Sequence, residues 1–96
     1  MVLSKTVDGT RVTLAIDGWL DTQTAPELGA ALDDLGDDVE VLVLDLSALE
    51  YVSSAGIRQV VAAHKKMGGR LEVRGVAPAV LEVFTLTGVD KRLNIV

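Results

Sequence analysis

Two adjacent serines, Ser53 and Ser54, lie where an apolar run ending at Val52 meets a helical pattern opening with Ala55-Gly56-Ile57. A hydroxyl at a helix start has two chemical uses. It can accept from backbone N–H groups that lack an intrahelical partner, or it can carry an anionic group in a field that favours negative charge. The first use makes the segment a cap; the second makes it a switch.

Other chemistry-bearing residues are few. His64 is the sole histidine and falls on an apolar helical stripe with Ile57, Val60, Val61 and Met67. It stands ten positions from Ser54, about 15 Å along one helix, too far for a direct Ser–His bond. Asp33, Asp34, Asp37 and Asp38 cluster near a helix end and read as a solvated acidic face, since their spacing matches no calcium-binding loop. Trp19, the only tryptophan, falls between a strand and a helix. That position suits either a half-buried anchor or an exposed binding hot spot. There is no Gly-x-x-x-x-Gly-Lys-Ser/Thr loop, and Gly68-Gly69 follows a helix, the wrong end for cradling phosphate.

Composition narrows the classes. The 96 residues are enough for one domain with a single core. Aromatics are only 3% of the chain, so that core is aliphatic. The absence of cysteine excludes disulfides and thiolate chemistry and suits a reducing cytoplasm. No apolar run reaches the roughly 20 residues that span a bilayer, and the N-terminus lacks a signal-peptide core. A net charge of −5 argues against nucleic acid as a partner. The charge is polarised: residues 1–57 carry 11 acidic and 2 basic side chains, residues 58–96 carry 3 acidic and 7 basic. Such polarity fits either docking by charge complementarity or plain solvated faces.

The elements that position the serines follow from periodicity. Leu3–Val7 and Thr10–Ile16 read as strands joined at Asp8-Gly9, the second burying Val12, Leu14 and Ile16. Thr24-Ala25-Pro26-Glu27 has the spacing of a capping box, and Leu28, Ala31, Leu32 and Leu35 continue the helix to Gly36. Val39–Leu46 reads as a central strand that leaves through a short loop toward the serines. A second helix runs from near Ser54 to Gly68-Gly69, with Lys65 and Lys66 in its last turns. A strand at Leu71–Arg74, a helix opened by Pro78 and closed by Gly88, and a last strand at Arg92–Val96 complete the chain. The order β-β-α-β-α-β-α-β predicts an α/β fold, a mixed sheet with its helices packed on one face.

Three stretches carry a family resemblance. Gly18-Trp19-Leu20-Asp21-Thr22-Gln23-Thr24-Ala25 resembles a Gly-x-Leu-Asp-x-x-Thr-Ala approach to a first helix. Val43-Leu44-Asp45-Leu46-Ser47, through Tyr51-Val52-Ser53-Ser54-Ala55-Gly56-Ile57, resembles a strand, loop and phosphoacceptor helix. Gly68-Gly69-Arg70-Leu71 and Val76-Ala77-Pro78-Ala79-Val80, followed by Gly88, complete the set. In this order they are similar to the STAS domain, specifically the bacterial anti-sigma factor antagonists, over essentially residues 1–96.

The resemblance implies a cytoplasmic, non-enzymatic regulator without cofactor or metal. Its unphosphorylated form would bind an anti-sigma factor that is also a serine kinase, releasing a sigma factor. Phosphorylation would break the complex and a serine phosphatase would restore it. It implies Ser54 as phosphoacceptor and Asp21, Thr22, Ser53, Ser54, Gly56 and Ile57 as partner-binding residues, with Asp21 facing a basic group. Where the family usually reads Asp-Ser-Ser/Thr-Gly, this chain has Ser53-Ser54-Ala55-Gly56, with Ser53 in place of the acid. Arg58 stands where the family can have a small residue. The family's C-terminal helix is missing or truncated at Val96. The alternative implied by the same resemblance is a STAS regulatory subunit of an ABC-type membrane transport complex.

Overall fold

A computed structural model describes residues 1–96. Strand β1 (Val2–Asp8) turns through Gly9-Thr10 into β2 (Arg11–Leu20), antiparallel and in register from Asp8 opposite Arg11 to Val2 opposite Asp17. The tight turn uses Gly9 at φ +61°, a conformation that costs a residue with a Cβ. Helix α1 (Ala25–Asp33) then leads to β3 (Val41–Asp45), β4 (Leu49–Val52), α2 (Ser54–Lys66), β5 (Leu71–Arg74) and α3 (Pro78–Thr87). A 3₁₀ turn at Val89–Lys91 follows.

The sheet runs β1-β2-β3-β5, with β3 parallel to both neighbours, and β4 pairs separately with the far end of β2. Alternation decides which face is covered. Val12, Leu14, Ile16, Leu42, Leu44, Leu71 and Val73 join Leu28 and Leu32 of α1, Val60 and Ala63 of α2, and Val80 and Phe84 of α3 in one buried cluster. The opposite face carries Arg11, Thr13, Asp45, Glu72 and Arg74, none of them buried. There Glu72 joins Arg11 at 2.6 Å and Arg74 at 3.1 Å. Burial works against ionisation of Glu72, but the two guanidiniums win and its pKa lies below the ordinary value. The expected mixed sheet with helices on one face is the observed one. Val43 is buried on the open face as well, flanked in register by Thr13 and Glu72, which accounts for the unbroken apolar run of the central strand.

Three expectations need correction. The segment read as a short loop after the third strand contains β4. Strand β2 runs four residues past Ile16, and its end at Gly18–Leu20 gives Leu49–Val52 a parallel partner. The turn between β3 and β4 is set by Asp45, whose Oδ1 accepts from the Ser47 hydroxyl at 2.7 Å and the Ser47 N–H at 3.0 Å. Those bonds, the hydroxyl first, hold the Asp45 carboxyl below its ordinary pKa.

The expected last strand, Arg92–Val96, touches β5 only at a parallel bridge between Ile95 and Val73. The 3₁₀ turn takes up the preceding residues, so a single residue arrives in register. Finally, Thr24 does not close a capping box. It is the residue before α1, but its hydroxyl is turned into the preceding loop.

The second helix ends as its glycines predict. Gly69 N–H reaches the His64 carbonyl and Gly68 N–H the Lys65 carbonyl, both at 3.1 Å, with both glycines at positive φ. That fixes the C-terminus of α2. The functional question lies at its other end.

Candidate functional site

The loop between β2 and α1 is built around one carboxylate. Asp21 Oδ1 accepts from Gln23 N–H at 2.9 Å and Thr24 N–H at 3.0 Å, and lies 3.1 Å from the Thr24 hydroxyl. The same hydroxyl accepts from Asp21 N–H at 2.8 Å and lies 2.9 Å from the Trp19 carbonyl, so its single proton is taken within the loop. This reciprocal pair replaces the expected capping box. Its N–H donors, that of Thr24 first, hold the Asp21 pKa below the usual carboxylate value, with a smaller contribution from the N-terminal ammonium. The loop is therefore tightest with Asp21 ionised. That stability is present above the ordinary carboxylate pKa and lost as pH falls through the lowered one. Asp21 Oδ2 makes no bond within the chain, and Thr22 beside it is exposed and unbonded.

The serines reach the same end of the molecule by strand pairing. Leu20 and Val52 are register partners, and Ser53 N–H continues the ladder by donating to the Leu20 carbonyl at 2.9 Å. Ser53 is extended, at φ −93° and ψ 174°, and its Oγ accepts from Gly56 N–H at 3.3 Å. Its carbonyl accepts from Ile57 N–H at 2.9 Å, the first helical bond. Ser53 is the cap. Ser54 is the first residue inside the helix, exposed, with its hydroxyl engaged by nothing in the chain. The two uses of a helix-start hydroxyl are divided between the two serines.

Of the residues expected to meet a partner, Asp21, Thr22, Ser53 and Ser54 are brought together at the ends of β2 and β4. Gly56 and Ile57 expose little surface. Gly56 is buried, and Ile57, 7% exposed, belongs to the core cluster. Past the cap the helix faces the sheet: Gly56 packs against Leu20 and Val52, and Ile57 lines a hollow with Arg58 and Val61.

One feature escaped the sequence reading. Trp19 and Tyr51 are register partners across β2 and β4, with ring centroids 5.3 Å apart and planes at 45°. They remain 55% and 45% exposed. Sequence alone does not pair Tyr51 with Trp19, because the four residues of β4 are too few to show strand alternation.

The chemistry available here is that of a surface. The largest hollow, about 450 Å³, lies elsewhere, between Gly29 and Asp33 of α1 and Gln59 and Lys66 of α2. No three His, Asp or Glu side chains converge as a metal site, and Asp33, Asp34, Asp37 and Asp38 are all exposed. His64 is half-buried beside Val61 and Leu93. What remains is a free hydroxyl in the positive field of a helix N-terminus.

Alanine scanning should separate the serines. Ser53→Ala is expected to lower stability by about 1 kcal/mol through loss of the cap, whereas Ser54→Ala should stay within about 0.5 kcal/mol of wild type. Urea denaturation measures both; equal losses would contradict this division of roles.

Known proteins share this fold. A sequence model of the family described as "Mlab, STAS domain" matches residues 3–96. The anti-sigma-F factor antagonist RsfB of Mycobacterium tuberculosis is 32% identical over 85 residues, covering 85% of this chain and 70% of that protein. The crystal structure of an anti-sigma factor antagonist from Mycobacterium paratuberculosis superposes with a TM-score of 0.87 at 29% identity, over 98% of this chain and 83% of that one. SpoIIAA, a Bacillus cell fate determinant, shares the fold at lower identity. Its unphosphorylated form matches with TM-score 0.73 and 16% identity over 99% of this chain and 87% of that one. Its phosphorylated form matches with TM-score 0.67 and 17% identity over 99% and 91%. With a family match over nearly its whole length, this chain belongs to the STAS domain family.

Proposed function

We propose that this protein is an anti-sigma factor antagonist: a non-enzymatic binding module that, unphosphorylated, sequesters an anti-sigma factor and thereby frees a sigma factor. Phosphorylation of Ser54 by that anti-sigma factor, acting as a serine kinase, is the off-switch, and a serine phosphatase resets it in the cytoplasm. The observation that carries the reading is the unbonded, exposed Ser54 hydroxyl beside a Ser53 that already satisfies the cap. Kinship with RsfB supplies the partner class, and the two states of SpoIIAA supply the precedent for a phosphorylated form.

Substitution of the usual family acid by Ser53 does not remove the acceptor. A capping hydroxyl satisfies the Gly56 N–H without adding a second charge next to the phosphate. The docking residues are Asp21, through its free Oδ2, with Thr22, Ser53 and Ser54. Gly56 and Ile57 act from beneath by holding the start of α2 in place.

The test is direct. The purified chain is incubated with ATP and each anti-sigma factor kinase of the source genome, each shown active on its own antagonist, and the phosphopeptides are mapped by mass spectrometry. One phosphate on Ser54, abolished in Ser54→Ala, is the expected result. Phosphate on Ser53 alone, or on neither serine with every kinase, refutes the switch.

A further inference from the structure

The chain has one tryptophan, one tyrosine and one phenylalanine. Phe84 fills the core, fully buried, while Trp19 and Tyr51 lie in contact with each other at the surface. A cross-strand aromatic pair can serve the sheet alone. Here, however, the rings form the one exposed aromatic patch of the chain, flanked along the sequence by acidic residues. Asp17 precedes Trp19 by two residues, Asp21 follows it by two, and Glu50 adjoins Tyr51. Asp17 and Glu50 are exposed, Asp21 is half-exposed, and none of the three is in a salt bridge.

The charged group that reaches this end from a neighbouring element is the N-terminal ammonium: Met1 lies against Gly18, its charge is felt by Asp21, and it forms no ion pair. Aromatic faces carry the negative lobe of the ring quadrupole, so rings and carboxylates favour the same ligand. That ligand is a cation with an apolar, planar body. A guanidinium fits better than an ammonium because it is weakly hydrated, stacks on rings and presents a fork of donors to a carboxylate such as the free oxygen of Asp21.

We infer that the Trp19–Tyr51 pair, framed by Asp17, Asp21 and Glu50, is the seat of an arginine side chain of the anti-sigma factor. This rests on the antagonist reading above and deepens it by naming the chemistry of the contact. The seat is continuous with the switch. Tyr51 precedes Ser54 by three residues, so their Cα atoms are at most about 11 Å apart. One partner surface therefore covers both, and the aromatic anchor supplies affinity that the small serine surface lacks.

Trp19 is also the built-in probe, since the chain has no other tryptophan. The experiment titrates the wild-type chain with the purified anti-sigma factors of the source genome and follows Trp19 emission, with calorimetry for the affinity. Trp19→Leu, Tyr51→Leu and Trp19→Phe are compared by calorimetry, and thermal melts are recorded for all.

The expected result is a Trp19 spectral change on binding and an affinity loss of about tenfold in each Leu variant. Melting temperatures should hold nearly constant, and Trp19→Phe should recover most of the affinity because a ring face is restored. The loss should shrink when the partner's arginine at the contact is replaced by Met. Wild-type binding that neither Leu variant weakens overturns the arginine seat and leaves the antagonist reading standing. A loss of affinity matched by an equal loss of stability also overturns it, in favour of a sheet-stabilising pair. Failure of the wild-type chain to bind any of the anti-sigma factors overturns both readings.

Discussion

Replacing Ser54 with Asp is expected to weaken binding of the anti-sigma factor on the order of a hundredfold, about 2.7 kcal/mol, and to leave the fold intact. Ser54 is the first residue of α2 and its hydroxyl has no partner to lose. A carboxylate there lies in the positive end of the helix field and gains roughly 0.3–1 kcal/mol. The substitution is thus neutral or mildly stabilising in the free protein. In a complex that closes over a neutral hydroxyl, the same charge must shed water without a donor positioned to receive it. Breaking such complementarity costs several kcal/mol at an interface. A phosphoryl group, with about −1.5 to −2 charge and three acceptor oxygens, should exceed the effect of Asp. Calorimetric affinity with a parallel thermal melt is the measurement. An unchanged affinity would rule out the charge and steric mechanism, and a lost fold would show that Ser54 has a structural role.

Gly56→Ala should destabilise the protein even though alanine is the better helix former. A Cβ at position 56 would lie 2.7 Å from the Leu20 carbonyl oxygen, 2.8 Å from Leu20 Cγ and 2.9 Å from Val52 Cγ2. The first of these is backbone, and that carbonyl also receives the Ser53 N–H, so it cannot withdraw without breaking the strand-to-helix junction. Overpacking of this kind costs typically 1–3 kcal/mol, against about 0.8–1.0 kcal/mol gained in helix propensity. The net expectation is a loss of up to about 2 kcal/mol, or a fall in Tm of up to roughly 16 °C for a chain of this size. Relief of the clash would push the start of α2 away from β2 and β4. Ser54 would move relative to Asp21, and partner affinity should fall together with Tm. Scanning calorimetry checks the stability; an unchanged or raised Tm would mean that the junction is looser than its contacts indicate. Glycine here serves closeness of approach rather than backbone freedom, since Gly56 is not among the glycines at positive φ.

The regular elements were legible where one period dominated. Val12, Leu14 and Ile16 alternate cleanly, and the Ile57–Val60–Met67 stripe closed by Gly68-Gly69 could only be a helix. Elements defined by partners rather than by period were not. The four residues of β4 are too few to show alternation, and they form a strand only because β2 continues to Leu20 beside them. The segment Arg92–Val96 has strand composition but meets β5 at one residue. Thr24 has capping-box spacing, yet Asp21, outside that motif, captures its hydroxyl.

For the site, the residue types and order along the chain already confined the chemistry to a hydroxyl at a helix start. They also excluded thiolate, disulfide and P-loop chemistry, because these need residues the chain lacks. Local order could not say which serine caps the helix. That depends on where the chain leaves β4, and the bond from Ser53 N–H to the Leu20 carbonyl decides it by directing the Ser53 side chain back onto Gly56 and leaving Ser54 outside. Nor could it bring Trp19 to Tyr51, 32 positions apart in sequence but in register across two strands. Short-range propensities act over a few residues and are written in the sequence. Register between distant strands is set by the packing of the whole core, and only the tertiary structure shows it.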